Sequence, residues 1–307
     1  MPELTVAVTG PTGEIGRAFL RALDPHARIL GMARRPFDPA SLGLVNTEYR
    51  RGDVLDPAAV NALAAEADVL VHLAFIILGG REETRRVNLT GSRNVFKAAR
   101  HVRRLVYTSS VAAYGFHADN PQPLTEDVEP RGSESFYYSA QKAELEAVLH
   151  QEFDGDEAYI LRPCVVAGPD AQLLLRELPQ RKLPLVTVPV MPNPGTPLQL
   201  VHHDDVAAAL VAATLGDAPP GAYNLAGDGT MTLGDLARAL GWLSVPVPSL
   251  LVDAAALGAN LPLMPNIFQW VSAARVPVIM DTTRAKRELG WEPRFTTRET
   301  LAELVAR

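Results

Sequence analysis

The feature that most constrains this chain is a glycine-rich loop at residues 9–16, which reads T-G-P-T-G-E-I-G. It follows a β-rich run, Leu4–Val8, and opens a helical run, Ile15–Leu23. Glycines let a strand-to-helix turn tighten and let its backbone approach a pyrophosphate at the helix N-terminus. The G-x-x-G-x-x-G spacing also fits a purely structural turn, so the loop alone does not decide the function. The residues that we expect to bind a dinucleotide here are Gly10, Thr12, Gly13, Glu14 and Ile15.

Short β-rich runs alternate with helical runs through the first half, which predicts a parallel sheet wrapped by helices. The further strands are predicted at Arg28–Met32, Tyr49–Gly52, Val69–Leu73, Arg104–Thr108, Tyr159–Arg162 and Ala222–Ala226. The further helices are predicted at Pro57–Ala65, Glu83–His101, Phe136–Gln151 and Val201–Leu215. Phe136–Gln151 is expected to carry Glu144 and Glu146 outward, and Glu126, Asp127 and Glu129 are expected in a solvated loop. His72, on an apolar strand, is expected to be a satisfied core or groove residue. Six prolines in Pro179–Pro197 predict a loop or isolated edge strands.

These elements predict an α/β fold with a doubly wound, parallel-sheet Rossmann domain and a smaller C-terminal substrate-binding lobe. We assign residues 1–165 and about 198–228 to the Rossmann domain. We assign residues 166–197 and 229–307 to the substrate-binding lobe.

The charged residues and the single cysteine exclude several classes of protein. The 29 basic and 35 acidic residues give a net charge of −6 without a basic block, so we expect no nucleic-acid partner. The apolar stretches are too short to cross a bilayer, and we expect no membrane partner. Cys164 is the only cysteine, which excludes an intramolecular disulfide and favours a packed thiol in a cytoplasmic protein. We expect no metal at residues 202–205 (H-H-D-D).

The residues after the second strand bear on the choice of cofactor. Arg34 and Arg35 stand where a carboxylate would bind the ribose 2′-hydroxyl of NAD, and arginine suits the 2′-phosphate of NADP. We therefore expect NADP, with NAD as the alternative. If the two arginines have no functional role, they are ordinary solvated charges at the surface. Asp53, after the third strand, fits either a hydrogen bond to adenine or a cap of the next turn.

Tyr138 and Lys142 lie four residues apart on a predicted helix and therefore share one face. A phenol ordinarily has a pKa of about 10. An adjacent ammonium and an oxidised nicotinamide both favour phenolate, which would bring Tyr138 nearer to a working acid–base range. Ser110, just past the fifth strand, supplies a hydroxyl that can hold the reacting oxygen. The three residues together predict a catalytic set.

In combination, these motifs resemble the extended short-chain dehydrogenase/reductases, also called the NAD-dependent epimerase/dehydratase family. The resemblance covers essentially the whole chain and extends to Gly52-Asp53, Val71–Ala74, Asn88 with Gly91, Ser109–Gly115, Leu161–Pro163, Val201–Val206 and Leu289–Pro293. It implies that Tyr138 is the acid–base, that Lys142 binds the nicotinamide ribose and that Ser110 orients the substrate oxygen. The further cofactor-binding residues that it implies are Asp53, Val54, Leu73, Ala74, Asn88 and Pro163. It also implies a homodimer through helices Glu83–His101 and Phe136–Gln151. It further implies that Pro163 flanks the nicotinamide and that residues 202–205 start a helix capped by an aspartate.

Departures from the family pattern narrow the reaction. Val111 and Ala112 stand where sugar-nucleotide dehydratases carry Asp-Glu, which argues against dehydration. The loop at residues 75–80 is apolar, and residues 163–197 contain few basic residues, namely Arg176, Arg181 and Lys182. This favours a weakly charged small-molecule substrate, unless Arg275 or Arg284 points inward.

We therefore predict an oxidoreductase that transfers hydride between NADP(H) and a carbonyl or secondary alcohol of a small, moderately apolar substrate. The first alternative is a nucleotide-sugar 4-epimerase with tightly bound NAD. The second is a cofactor-binding regulatory protein that has lost catalysis.

Overall fold

The computed structural model describes residues 4–77, 79, 81–153, 155–172, 190–191, 194–244 and 276–306. Its strands are β1 (Thr5–Thr9), β2 (Arg28–Ala33), β3 (Thr47–Arg51), β4 (Val69–His72), β5 (Arg104–Thr108), β6 (Glu157–Pro163), β7 (Val165–Ala167), β8 (Val190–Met191), β9 (Pro197–Leu198), β10 (Leu200–His202), β11 (Gly221–Leu225), β12 (Met231–Thr232) and β13 (Leu243–Ser244). Its helices are α1 (Glu14–Leu23), α2 (Pro57–Ala64), α3 (Arg81–Arg85), α4 (Ser92–Ala98), α5 (Tyr137–Glu152), α6 (His203–Leu215), α7 (Leu233–Ala239), α8 (Thr283–Glu288) and α9 (Thr297–Val305).

The centre of the molecule is a seven-stranded sheet in the order β11-β6-β5-β4-β1-β2-β3, with every pair parallel. Helices cover both faces. Val6 and Val8 of β1 join the core beneath α1 and α6, whereas Ala7 joins the core beneath α2, α4 and α5. Alternate side chains of one strand therefore enter two different cores, as a doubly wound sheet requires. The predicted Rossmann fold is confirmed.

A smaller C-terminal lobe lies outside the main sheet. It contains the short strand pairs β7–β10, β9–β12 and β8–β13. Helix α9 packs on β10 through Leu301 and Leu304, which share a small core with Leu200. The proline-rich segment predicted at Pro179–Pro197 lies largely outside the described residues. The division of the chain at residues 165, 198 and 228 stays a prediction.

At the amino ends of β5 and β6, a buried arginine donates hydrogen bonds to the last carbonyl groups of a neighbouring helix. Arg104 is 4% exposed, and its Nη1 donates to the carbonyls of Ala213, Thr214 and Gly216 at 3.0, 3.0 and 2.7 Å. Its Nε donates to Glu157 at 2.6 Å. The last carbonyls of a helix lack partners within the helix, so Arg104 completes the C-terminus of α6.

Two predicted helices differ from the observed elements. Glu83–His101 is not one helix, because a π-helical turn, Arg86–Gly91, separates α3 from α4. A Cβ at Gly91 would lie 2.5 Å from Val54 Cγ2, so this turn packs directly on the loop after β3. The predicted helix Val201–Leu215 begins later, at His203, because Val201 pairs with Val166 in a strand.

Residues 202–205 also differ from expectation, because a histidine caps α6 rather than an aspartate. His202 Nδ1 accepts a hydrogen bond from the backbone N–H of Asp204 at 3.2 Å. Asp205 is fully buried and accepts instead from the N–H groups of Arg294 and Phe295, both at 3.1 Å. Nitrogen and oxygen atoms of His202, His203 and Asp204 lie within 4.8 Å of one another. The absence of a metal here stays a prediction.

Two acidic residues that were expected to face solvent do not. Glu146 on α5 is 3% exposed and pairs with Arg162. Glu126, in a loop predicted to be solvated, is half-buried and accepts a hydrogen bond from the N–H of Asn224 at 2.8 Å. Both errors arise because the partners are distant in the sequence.

Across the residues that the structure describes, no helix combines the length and apolar character needed to cross a membrane.

Candidate active site

The glycine loop forms a cradle at the carboxyl end of β1. Gly10 has a φ of +76°, and a Cβ there would lie 2.6 Å from the backbone nitrogen of Ala74. A Cβ at Gly16 would lie 2.4 Å from the Gly10 carbonyl oxygen. At Gly13, by contrast, the nearest atom would be 3.5 Å away, and Gly13 starts α1 with no side-chain cap. The first N–H groups of a helix have no acceptor within the helix, so the start of α1 at this loop fits a pyrophosphate.

Thr12, Glu14 and Ile15 complete this loop as half-buried residues, so the structure brings the predicted loop residues together. Glu14 Oε1 also accepts a hydrogen bond from the N–H of Gln172 at 3.1 Å. This contact joins the first turn of α1 to the segment after β7.

Arg34 and Arg35 follow β2 at the same edge of the sheet, and both are exposed. Their backbone is held from the neighbouring strand: the Tyr49 hydroxyl donates to the carbonyl of Ala33 at 2.7 Å and also to that of Arg35. Arg51 Nε donates to the Arg34 carbonyl at 3.1 Å. The guanidinium groups therefore extend into solvent from a fixed loop, a position that suits a phosphate beyond β2.

Asp53 and Val54 follow β3. Asp53 Oδ1 accepts from the N–H of Leu55 at 3.0 Å, so Asp53 does cap the next turn, which was one of its two expected roles. Val54 is buried, and its carbonyl accepts from Asn94 Nδ2 at 2.9 Å.

Asn88 holds the loop after β4 from behind. It is fully buried, and its Oδ1 accepts from the N–H of Ile76 at 2.8 Å. Its Nδ2 donates to the Ile76 carbonyl at 2.9 Å and to Gln141 Oε1 at 2.8 Å. Leu73 and Ala74 begin the same loop opposite Gly10. Asn88 thus joins the wall of the dinucleotide cradle to α5.

The three candidate catalytic residues are brought together at the carboxyl end of β5. The side chain of Ser110 is hydrogen-bonded to the Tyr138 phenol. Lys142 Nζ donates to the Thr108 carbonyl at 2.8 Å and to the Tyr107 hydroxyl at 3.4 Å. Ser110, Tyr138 and Lys142 are all buried. Pro163, which ends β6, is also buried.

Burial dominates the electrostatics of this set. It raises the pKa of Tyr138 to about 12, and the hydrogen bond from Ser110 lowers that pKa only in part. Burial lowers the pKa of Lys142 to about 7, while the Glu146 carboxylate opposes this shift. Burial therefore dominates the pKa of Tyr138, and the expected combined effect of the ammonium and an oxidised nicotinamide stays a prediction. Lys142 points toward Thr108 and Tyr107, and desolvation exceeds its effect.

An apolar wall surrounds Tyr138. Its ring lies 5.6 Å from that of Phe75, at 88°, and 5.8 Å from that of Phe136. Ala112 and Tyr137 belong to the same cluster, and Phe75, Ile77 and Phe116 pack against it. Lys142 Nζ stands 3.9 Å from the centre of the Phe75 ring. The Tyr138 phenol therefore lies in a largely aromatic environment.

His72 and Cys164 have the structural roles that were predicted. His72 is hydrogen-bonded to Thr9 Oγ1 at 2.7 Å and to Ser92 Oγ at 2.8 Å, and burial lowers its pKa to about 3. Cys164 is 7% exposed, and burial raises the pKa of its thiol.

Arg284, one of the arginines that could bind a charged substrate if it pointed inward, pairs with Glu288 at 3.0 Å on α8. Arg176, Arg181, Lys182 and Arg275 lie outside the described residues, as do positions 78 and 80 of the apolar loop.

Sequence reasoning missed a buried polar network next to the catalytic set. Its members are Ser109, Tyr114, Glu146, Arg162 and Asn224. One signal could have indicated it, because Glu146 continues the four-residue spacing of Tyr138 and Lys142 along α5.

Comparison with known proteins gives one family. The model of the NAD-dependent epimerase/dehydratase family matches residues 6–226. The uncharacterized protein Rv0501 of Mycobacterium tuberculosis is 30% identical over 267 residues, which cover 82% of this chain and 69% of Rv0501. Sterol demethylase protein B of Methylococcus capsulatus is 30% identical over 175 residues, which cover 54% of this chain and 52% of that protein.

Solved structures share the fold over the full length. The Bordetella bronchiseptica enzyme WbmH in complex with NAD+ superposes with a TM-score of 0.76 at 22% identity, covering 99% of this chain and 98% of WbmH. UDP-glucose 4-epimerase of Thermotoga maritima superposes with a TM-score of 0.73 at 18% identity, covering 99% of this chain and 98% of the epimerase. With the matching family model and the glycine cradle, these likenesses agree on one assignment: the chain belongs to the NAD-dependent epimerase/dehydratase family.

Proposed function

We propose that this protein reversibly transfers hydride between NADP(H) and a carbonyl or secondary alcohol of a small, moderately apolar substrate. The observation that carries the proposal is the Ser110–Tyr138 hydrogen bond inside an aromatic wall. A phenol in such a wall can exchange a proton with a substrate oxygen, and the wall itself offers apolar contact.

Each residue of the set has a distinct task in this reaction. When bound, the cofactor supplies the hydride that reduces the carbonyl carbon, or accepts it in the reverse direction. Tyr138 gives its proton to the carbonyl oxygen, and Ser110 donates a hydrogen bond that orients this oxygen. Lys142 binds the nicotinamide ribose, and its positive charge favours the phenolate that Tyr138 becomes.

Two observations support an apolar substrate. The residues packed around Tyr138 are aromatic or aliphatic, and Phe75 covers Lys142 with its ring face. A relative that matches about half of the chain carries the name sterol demethylase protein B. We infer that the substrate class is a ketone or alcohol on a hydrocarbon framework.

The assay that tests this function follows NADPH and NADH oxidation against a panel of apolar ketones, beside interconversion of UDP-sugars. We expect stoichiometric NADPH consumption with at least one ketone. UDP-sugar interconversion without net NADPH consumption would overturn the proposal.

Preference for NADP rests on Arg34 and Arg35, exposed at the end of β2. The test compares the Kd of NADP+ and NAD+ in the wild type and in the Arg34→Ala/Arg35→Ala double variant. We expect the double variant to lose about tenfold in NADP+ affinity, since a charge-assisted hydrogen bond contributes about 1.5–3 kcal/mol and solvent screens it here. Its NAD+ affinity should stay unchanged. Equal loss of both cofactors would refute a 2′-phosphate site.

The second candidate is nucleotide-sugar 4-epimerisation with tightly bound NAD. The full-length fold likeness to a UDP-glucose 4-epimerase favours it. Tyr138 and Lys142 would have the same roles, but the bound cofactor would return to its original oxidation state at the end of each turnover. Cofactor that copurifies as NAD and survives gel filtration would support this candidate over the first.

A third reading is a regulatory protein that binds the cofactor without catalysis. Intact Ser110, Tyr138 and Lys142 argue against it.

We also propose a homodimer through the outer faces of α3–α4 and α5, to be measured by light scattering after gel filtration. A monomer at micromolar concentration would refute the dimer and leave the reaction unaffected.

A further inference from the structure

Glu146 is a buried carboxylate that bonds to two neighbouring elements. The Ser109 hydroxyl donates to its Oε1. Arg162 Nε donates to Oε1 and Oε2 at 3.1 and 3.2 Å, and Arg162 Nη2 donates to Oε2 at 2.6 Å. Both charged side chains are nearly inaccessible, at 5% for Arg162 and 4% for Glu146. Such a pair persists out of water only when its hydrogen bonds are satisfied, as they are here.

The partners of Glu146 are the chain neighbours of candidate site residues. Ser109 precedes Ser110, and its backbone N–H also donates to the Leu161 carbonyl at 2.7 Å. Arg162 precedes Pro163, the residue expected to flank the nicotinamide. Successive residues of an extended chain point to opposite sides. The hydrogen bonds that hold Ser109 and Arg162 on the α5 side therefore also fix Ser110 and Pro163, which point to the other side.

Arg162 extends the same network to the far side of the sheet. Its Nη1 donates to the Tyr114 hydroxyl at 2.8 Å, and that hydroxyl donates to Asn224 Oδ1 at 2.7 Å. Tyr114 ends the short 3-10 turn that begins directly after Ser110. One carboxylate on α5 therefore connects β5, β6, this turn and β11.

We propose that Glu146 and Arg162 are positioning residues: they hold Ser110 and Pro163 in register with Tyr138, and Glu146 keeps the Lys142 side chain charged for cofactor binding. Tyr138, Lys142 and Glu146 lie at four-residue intervals on one face of α5, so the carboxylate follows the ammonium by one helical turn. The inference rests on the proposed function, since it assigns Lys142 to the cofactor.

Among the described residues, Glu146 is the negatively charged group that acts on Lys142, because the other groups around Lys142 are neutral. From β5, Tyr107 is fully buried, and burial raises its pKa well above the ordinary value, so it is neutral. From β4, His72 is neutral as well, because burial lowers its pKa to about 3. Tyr138 is protonated, with a pKa of about 12. Phe75 contributes only the face of its ring.

The effect of removing the carboxylate has a definite sign. Burial lowers the pKa of Lys142 to about 7, and the charge of Glu146 raises it. Glu146→Gln keeps the volume of the side chain but removes the charge, so Lys142 loses its proton at a lower pH. Cofactor affinity that depends on the ammonium must then fall at a lower pH than in the wild type.

The test is calorimetric titration of NADP+ and NAD+ into wild type and Glu146→Gln between about pH 6 and pH 9. We expect the midpoint of the affinity loss to move down by about one pH unit, which is about tenfold weaker binding above both midpoints. The matched control is Glu157→Gln, which makes the same change in the Arg104–Glu157 pair at the opposite ends of β5 and β6. It should leave both midpoint and affinity unchanged.

Three outcomes decide the matter. An unshifted midpoint in Glu146→Gln, equal to that of Glu157→Gln, overturns the inference. If Glu146→Gln fails to fold, the double variant Glu146→Gln/Arg162→Met leaves no unpaired buried charge and must show the same downward shift. Lys142→Met separates this inference from the proposed function: unchanged cofactor binding in that variant would refute the site itself.

Discussion

The two edges of the central sheet differ in how their buried cations are paired. At the amino edge, Arg104 and Glu157 pair with each other and complete the end of α6. At the carboxyl edge, Arg162 pairs with Glu146, but the direct contacts of the buried Lys142 among the described residues are neutral acceptors and aromatic rings. Arg34 and Arg35 extend into solvent at this same edge.

This difference separates stability from function. The Arg104–Glu157 pair completes the fold, whereas a buried ammonium whose direct contacts are neutral has a lowered pKa and is available to a ligand. In parallel sheets the loops at the carboxyl ends form the ligand site. We therefore expect substitutions at the carboxyl edge to change cofactor binding and turnover, and substitutions at the amino edge to change the free energy of unfolding.

The largest expected effect is that of Tyr138→Phe on turnover. The variant keeps the ring and its contact with Phe75 but removes the only hydroxyl proposed to exchange a proton with the substrate. We expect kcat to fall by about three orders of magnitude, within the range for loss of a general acid–base. Tyr159→Phe, which removes a buried hydroxyl bonded to the Ala218 carbonyl, is the amino-edge control and should retain kcat. Similar kcat values for both variants would break the distinction between the edges.

The next effect concerns two glycines of one loop. Gly10→Ala places a Cβ 2.6 Å from the backbone of Ala74 at a φ of +76°, so the unfolding free energy should fall by about 3–4 kcal/mol. Gly13→Ala meets nothing closer than 3.5 Å and should leave stability within about 1 kcal/mol. Its methyl group, however, stands where the pyrophosphate is expected. Urea unfolding and NADP+ titration of both variants test this contrast, and tight cofactor binding by Gly13→Ala would contradict the proposed cradle.

Much of this edge was predictable from local sequence, and some of it was not. The glycine loop, the central strands and the spacing of Tyr138 and Lys142 follow periodic patterns that a single segment displays. The pairing of Glu146 with Arg162 depends on how α5 packs against β6, which no local pattern encodes. The π-helical turn at residues 86–91 likewise packs through Gly91 on Val54, a residue distant in the sequence. The raised pKa of Tyr138 reflects its burial, which depends on packing between segments that are distant in the sequence.

A smaller effect is expected at the amino edge from Arg104→Met. The variant leaves three carbonyls of the α6 terminus without their donor and Glu157 without its partner. Glu157 is 30% exposed and can rehydrate, so we expect a loss of about 2 kcal/mol, less than for a fully buried pair. Thermal unfolding measures the loss, and NADP+ titration should give an unchanged Kd. A weakened Kd would show that the amino edge also shapes the site.

The smallest effect is the acid sensitivity that His72 confers on the carboxyl edge. Burial lowers its folded-state pKa to about 3, whereas the unfolded value is about 6.5. Its contribution to stability is therefore fully present above about pH 6.5 and is lost progressively as pH falls toward the folded-state pKa. Between pH 7 and about pH 5.5 the wild type should lose about 1 kcal/mol of unfolding free energy through this group.

His72→Gln should flatten that slope although it is less stable at neutral pH, because the hydrogen bonds to Thr9 and Ser92 are rearranged. Equal slopes in the wild type and His72→Gln would mean that the carboxyl edge tolerates a second buried cation beside Lys142, which contradicts the rule drawn from comparing the two edges.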